Sequence, residues 1–233
     1  MEPDITLRLL GGFVLRHRGR PIDLQLGAQR LVALLAIERH PVSRAHAVGR
    51  LWPDVTDDRA SANLRSTLWR VRHTGVALIA SVDQHNIGLM PTVQVDLHDI
   101  VNQESLLVDD YVERAVIRLD DSLSEDLLPG WDEDWVVVER ERVRQLRLHT
   151  LEAIATRLVE RGRWREAIEV AFAAVREEPL RETAQRCLIE AHIAEGNVVE
   201  AVRQYQSFRA LLRRELGVEP SVDLRTRLRE VQH

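Results

Sequence analysis

Short runs of alternating apolar and polar residues fill the N-terminal part of the chain. Residues 5–9 alternate, Gly11 and Gly12 interrupt them, and further apolar runs follow at 13–15 and 22–24, separated by a turn around residues 18–21. Alternation with a period of two, punctuated by Gly and Pro, is typical of short antiparallel strands. We therefore expect a small sheet over residues 5–24.

Helical spacing of the apolar residues follows, and it predicts three helices, over residues 28–39, 44–52 and 58–73. Pro41 and Pro53 end the first two, because the residue before a proline is pushed out of the helical region. Ser43 is the expected N-cap of the second helix, and Asp57 or Asp58 that of the third. A hairpin is expected next, with strands at 77–79 and 87–89 around a polar turn, and a further strand at 93–95.

The second half of the chain predicts helix throughout from Trp135 and contains an internal repeat. Gly162 recurs as Gly196, and residues 166–168 recur as 200–202, each at an offset of 34 positions. This is the period of tetratricopeptide helix pairs, in which Gly lies near the turn and a small Ala lets two helices approach closely. Trp164 and Tyr205 would fill the remaining gaps. The alternative is an unrelated helical bundle whose glycine spacing is a coincidence.

These elements predict a mostly α-helical protein of two domains. Residues 1–98 are expected to form an α+β winged helix-turn-helix domain, because strands, three helices and a hairpin follow in that order. Residues 99–233 are expected to form an all-α domain of tetratricopeptide-like helical repeats.

Composition excludes several classes of protein. The acidic N-terminus does not resemble a signal peptide, and no window of about 18 apolar residues predicts a membrane span. Cys187 is the only cysteine, which excludes a disulfide or a thiolate zinc site within one chain, and its helical neighbours indicate a buried small hydrophobe. We expect a cytoplasmic protein.

Charge is unevenly distributed along the chain. All 32 basic residues counted as Lys+Arg are Arg, and the net charge is −5. Residues 1–99 hold 12 Arg and 10 acidic residues, whereas the remainder holds 20 Arg and 27 acidic residues. The slight basic excess at the N-terminus permits nucleic-acid binding without predicting it.

The predicted third helix separates into two sides when residues are placed about 100° apart. Ala60, Leu64, Thr67, Leu68 and Val71 share the core side, and Arg59, Ser66, Trp69 and Arg70 point outward. A major groove accepts a helix with small side chains and arginines on its outer side, but an ordinary solvated face has the same pattern. We expect Trp69 to pack under the wing or against the second domain, since large aromatic side chains are mostly buried, with stacking on the sugar-phosphate chain as the alternative. The candidate DNA-binding residues are Arg44, Arg50, Arg59, Asn63, Arg65, Ser66, Arg70 and Arg72.

The turn at residues 83–86 is the expected tip of the wing. It contains no arginine, so it predicts either a weak contact with the minor groove or a merely solvated turn.

Sequence signatures of enzymes are absent. The chain has no phosphate-binding GxxxxGK[ST] loop, no GxSxG elbow and no HExxH pair, and its nine His residues are scattered. Its carboxylate clusters are expected to be helix caps and solvated loops. We therefore expect no catalytic residue, no metal site and no cofactor.

Several motifs resemble those of the antibiotic regulatory (SARP-type) transcription activators. In the first half these are residues 29–31, Leu51-Trp52-Pro53, residues 60–65 and residues 68–72; in the second half they include residues 127–131, 178–182 (EPLRE) and 215–220 (ELGVEP). The first half resembles the response-regulator-type winged helix of that family, and the second half its bacterial transcriptional activation domain.

The resemblance implies a sequence-specific DNA-binding activator. Members of this family bind direct repeats in promoter DNA as dimers and contact RNA polymerase. In related chains a further domain follows the repeats, and none is expected after His233. The alternative is an adaptor in which the helical repeats bind a protein partner and DNA binding is weak or lost, as the net charge and the wing without arginine favour.

Overall fold

A computed structural model describes residues 4–81, 83–101 and 125–230 of the protein. These residues divide into two units. The first contains residues 4–101 together with Glu125–Val143, and the second contains residues 144–230. Strands and helices share the first unit, whereas the second is helical throughout its elements. The expected fold class, an α+β winged helix followed by all-α repeats, is confirmed, and the boundary between residues 98 and 99 stays a prediction.

Four strands form the first sheet: β1 (Ile5–Arg8), β2 (Val14–His17), β3 (Arg20–Pro21) and β7 (Val93–Val95), in the order β3-β2-β1-β7. β1 is antiparallel to β2 and parallel to β7. The prediction of a third strand at 22–24 is wrong. Arg18 and Gly19 both have positive φ and make the turn alone, so Arg20 already pairs with His17.

The three expected helices are present as α1 (Leu26–Glu38), α2 (Arg44–Leu51) and α3 (Asp57–Arg72). Around them a second sheet has the order β4-β6-β5, with β4 at Val42–Ser43, β5 at Ile79–Ser81 and β6 at Asn86–Leu89. β5 and β6 are the expected hairpin. The winged helix-turn-helix order is therefore confirmed.

The sequence predicts the N-cap of α2 correctly but not that of α3. Ser43 caps α2 as predicted, because its hydroxyl accepts a hydrogen bond of 3.0 Å from the His46 N–H. The N-cap of α3 is Thr56, without a side-chain cap hydrogen bond, so the prediction of Asp57 or Asp58 is wrong. Both aspartates lie instead in the first helical turn, where a carboxylate is favoured by the positive end of the helix dipole.

Residues 125–143 contact the N-terminal sheet. Leu127 forms an antiparallel bridge with Leu10, and Trp131 stacks on Phe13 with ring centroids 6.3 Å apart. Arg140 donates hydrogen bonds of 2.8–3.0 Å to the backbone carbonyls of Leu127, Leu128 and Trp131. These contacts explain why the segment is part of the first unit although it lies far along the chain.

The remaining elements are α4 (Asp96–Val101), α5 (Asp134–Glu160), α6 (Trp164–Glu177), α7 (Glu182–Glu195), α8 (Val198–Leu216) and α9 (Val222–Glu230). α5 begins in the first unit and continues into the second.

The predicted helical repeat is confirmed in the second unit. Gly162 and Gly196 both have positive φ at the turns before α6 and α8, and Ala167 and Ala201 are completely buried one turn into those helices. Tyr205 packs against the core formed with Phe208, as expected. Trp164, by contrast, is 41% exposed, so the prediction that it fills a gap between helices is wrong.

Candidate nucleic-acid interface

The third helix separates into a buried and an exposed side as its sequence predicts. Ala60, Leu64, Thr67, Leu68 and Val71 are all buried. α3 packs on α1 and α2 through this side, which fixes how the opposite side is presented. Spacing of apolar residues therefore determines which side chains of α3 reach solvent.

Four arginines of α3 are exposed: Arg59, Arg65, Arg70 and Arg72. None of them forms an ion pair or a hydrogen bond with its side chain to any residue that the structure describes. At about 100° per residue, Arg59 and Arg70 lie on one flank of the outward side, and Arg65 and Arg72 lie on the other. The helix thus presents two pairs of unneutralised guanidinium groups.

Small and polar residues complete this side of α3. Ser66 is exposed, Asn63 is half-buried, and Ala62 is exposed between the two arginine flanks. Small side chains allow a helix backbone to come close to a groove floor, and an amide can bond to an adenine edge.

Trp69 lies at the middle of the outward side. Its side chain is 59% exposed, so the prediction that it packs under the wing is wrong. The indole contacts the imidazole of His73, one turn further on, with ring centroids 3.8 Å apart, and the His73 Nδ1 lies 2.8 Å from the Trp69 carbonyl oxygen. The spacing of four residues could have predicted this aromatic pair.

The candidate residues of α2 differ from each other. Arg50 is exposed in the last turn and forms no ion pair or side-chain hydrogen bond with a described residue, whereas Arg44 is half-buried in the first turn. The Arg44 backbone N–H donates a 2.8 Å hydrogen bond to the His85 carbonyl, which joins the start of α2 to the hairpin. This hydrogen bond holds the start of α2 against the hairpin, although α3 lies between the two elements in the sequence.

The hairpin tip carries a negative charge. The Asp83 carboxylate accepts hydrogen bonds of 2.6 and 2.7 Å from the N–H groups of His85 and Asn86, and one of 2.8 Å from the Asn86 side-chain amide. The bond from the Asn86 side chain, followed by these backbone bonds, lowers the pKa of Asp83 below its ordinary value. An exposed aspartate therefore stays ionised at the tip of the wing.

The positions of candidate metal ligands and the surroundings of the Cys187 thiol bear on metal and thiol chemistry. No three His, Cys, Asp or Glu side chains within 4–81, 83–101 and 125–230 are grouped to bind a metal ion. Burial, followed by the nearby Glu152 carboxylate, raises the pKa of the half-buried Cys187 thiol to about 11. The thiol is thus protonated at neutral pH, and the role of a buried small hydrophobe stays a prediction. No helix among the described residues is both long and apolar enough to span a bilayer.

The described residues thus combine a winged helix, with unpaired arginines on its third helix, and a unit of helical repeats. The family model of the bacterial transcriptional activator domain matches residues 98–232. Since the match covers more than half of the chain, the protein belongs to this family, and the resemblance to SARP-type regulators is confirmed.

Among solved structures, the chain is similar to EmbR of Mycobacterium tuberculosis, determined in complex with a low-affinity phosphopeptide. The two share 20% identity with a TM-score of 0.73, over 99% of this chain and 65% of the EmbR chain. The likeness shows a shared fold, and this chain spans about two thirds of that protein's length. No curated protein matches the sequence.

Proposed function

We propose that this protein is a sequence-specific DNA-binding transcription activator, and that α3 enters the major groove of promoter DNA. The observation that carries the proposal is the set of exposed arginines on α3 without a partner among the described residues. A guanidinium group that is not already neutralised can bind phosphate or the O6 and N7 atoms of guanine with two parallel hydrogen bonds.

Arginines of the second unit provide the contrast. Arg144, Arg181 and Arg209 each form an ion pair of 2.6–2.8 Å with a glutamate. These three arginines are thus neutralised locally, whereas the four arginines of α3 have no ion-pair partner among the described residues. Exposed cations without a carboxylate partner are what an anionic duplex requires.

Each candidate residue has a proposed task. Arg59, Asn63, Arg65, Ser66, Arg70 and Arg72 would face the groove, and Arg44 and Arg50 would bind phosphates that fix the orientation of the domain. We assign DNA binding to residues 1–98 and activation to residues 99–233. The family favours a homodimer on direct repeats and a contact between the helical repeats and RNA polymerase, without enzyme activity and in the cytoplasm.

The proposal is tested by selecting bound fragments from the source genome with the full chain, followed by gel shift on the selected operator. Arg65→Ala and Arg70→Ala are each expected to weaken binding by about 1–3 kcal/mol, or roughly 5- to 150-fold, if the residue is bidentate to a guanine. Arg165→Ala is the matched control, since Arg165 is also exposed and without a described partner but lies on α6. Wild-type affinity in the Arg65/Arg70 double variant would refute the assignment.

The second candidate function is a protein-interaction adaptor with weak or lost DNA binding. The ionised Asp83 at the wing tip favours it, because a carboxylate repels the phosphate backbone. A salt titration separates the two functions, since DNA binding must weaken steeply with rising salt as counterions are released. No binding to genomic fragments at low salt would favour the adaptor.

A further inference from the structure

A depression of about 470 Å³ lies between α8 and α9 in the second unit. Its lining combines two kinds of surface. Apolar atoms come from Val202, Tyr205, Pro220 and Leu228, and polar groups from Gln206, Arg209, Glu219, Arg225 and Arg229. The depression is thus an apolar floor with a rim that consists mostly of guanidinium groups.

Positive charge exceeds negative charge at this rim. The Glu219 carboxylate pairs with Arg209 at 2.6 Å and with Arg213 at 2.8 Å. Arg225 and Arg229 are exposed, and neither makes a side-chain ion pair or hydrogen bond to a residue that the structure describes. One carboxylate and three guanidinium groups therefore line the depression, in a chain whose net charge is −5. This local reversal of sign suits an anionic partner.

The walls of the depression are fixed before any partner binds. Leu228 is 5% exposed and belongs to the core that contains Phe208, and Tyr205 packs on the same core. At the start of α9, the Ser221 N–H donates a 2.9 Å hydrogen bond to the Glu182 carboxylate, and Arg186 pairs with Asp223 at 2.9 Å. Because the floor is held by the core and α9 is anchored to α7, little conformational entropy is lost on binding.

We propose that this depression binds an acidic peptide segment that carries an apolar side chain between its carboxylates. Arginine clusters recognise acidic motifs through charge-assisted, often bidentate, hydrogen bonds. The apolar floor distinguishes a peptide from the DNA backbone, since a phosphate gains nothing from contact with Val202 or Leu228. The site lies in the second unit, away from α3 in the chain, and the proposal does not depend on the proposed DNA binding.

Fluorescence anisotropy on the full chain tests the site. The probe is a labelled twelve-residue peptide of Asp and Glu with central Leu and Phe, compared with a peptide in which Asn and Gln replace the acids. The variant is Arg225→Glu with Arg229→Glu. Arg165→Glu with Arg176→Glu is the matched control, because these side chains are also exposed, without described partners, in the second unit. We expect the site variant to bind the acidic peptide at least about tenfold more weakly and the control to stay within about twofold of wild type.

Three outcomes would overturn the proposal. The first is equal weakening in the control variant, which would show that only overall charge matters. The second is equal affinity for the amide peptide, or no binding of the acidic peptide up to about 1 mM at low salt. The third is a loss of operator affinity in the site variant with no peptide binding by the wild type, which would assign these arginines to DNA. Peptide binding by a chain that fails to bind DNA would leave this site standing while refuting the DNA-binding function.

Discussion

Replacing Arg50 by Ala and replacing Arg65 by Ala are expected to weaken DNA binding in different ways. Arg50 lies at the end of α2, where it would contact a phosphate, and Arg65 lies on the outward side of α3, where it would contact a base. Both are exposed and form no ion pair or hydrogen bond with a described residue through their side chains. Neither replacement therefore removes an intramolecular ion pair or hydrogen bond, and each should change folding stability by only about 0.5 kcal/mol or less.

The size of each effect follows from the kind of contact. One phosphate contact contributes about −0.9 to the slope of log K against log salt concentration, which corresponds to about 1.2 kcal/mol at 0.1 M salt. Arg50→Ala should thus bind operator and unrelated DNA about eightfold more weakly at that salt, with a slope shallower by about 0.9. Arg65→Ala should lose about 1–3 kcal/mol on the operator and almost nothing on unrelated DNA.

The assay is fluorescence anisotropy of both variants on operator and scrambled duplexes, at four salt concentrations from about 50 to 200 mM. Thermal unfolding of each variant checks that folding is unchanged. If Arg50→Ala kept the wild-type slope, or Arg65→Ala weakened both duplexes equally, the placement of α2 on the backbone and of α3 in the groove would be refuted.

Two further predictions concern the Cys187 thiol and the backbone conformation of two glycines. Burial raises the pKa of Cys187 to about 11, so about one thiol in a thousand is ionised at pH 8. Alkylation by iodoacetamide should therefore be at least about tenfold slower in the folded protein than in urea, after allowing for the higher nucleophilicity of a more basic thiolate. Equal rates would show a normal pKa. Gly196 has a φ of +86° at the end of α7, so Gly196→Ala should destabilise the second unit by about 1 kcal/mol in thermal or denaturant unfolding. Gly49 lies inside α2, where a Cβ would meet no atom within 4 Å. Gly49→Ala should therefore stabilise the first unit by about 0.5–1 kcal/mol. A change in the free energy of unfolding of the same sign for both glycine variants would contradict the argument.

Periodic features of the sequence predicted most of the fold. The apolar spacing of α3 placed all five buried residues correctly, and the offset between Gly162 and Gly196 located both inter-helix turns. Such features are predictable because each depends on a local repeat that the chain itself displays. The contacts of residues 125–143 with the N-terminal sheet were not predicted, because pairing of Leu10 with Leu127 leaves no periodic signal.

The two tryptophans show where residue type misleads. Helical spacing alone placed Trp69 on the outward side of α3, and that placement is correct. The expectation of burial came from the general preference of aromatic residues, which for Trp69 conflicts with its position on the helix. For Trp164 the gap-filling role expected from the helical repeat failed at the first residue of α6, where the side chain is 41% exposed. At the edges and outer sides of helices, position is thus the better guide.

The net charge of −5 also misleads when it is read as one number. Arginine is the chain's only long-chain cation, and it serves two purposes in the described residues. In the second unit, some arginines form ion pairs inside the fold. The Arg147 side chain, for example, is 3% exposed and pairs with Glu177, so the two charges cancel. No described carboxylate forms an ion pair with the arginines of α3, so their positive electrostatic field extends into solvent. The sign of the field at a binding surface depends on which charges remain unpaired there, and a sum over the sequence cannot contain that information.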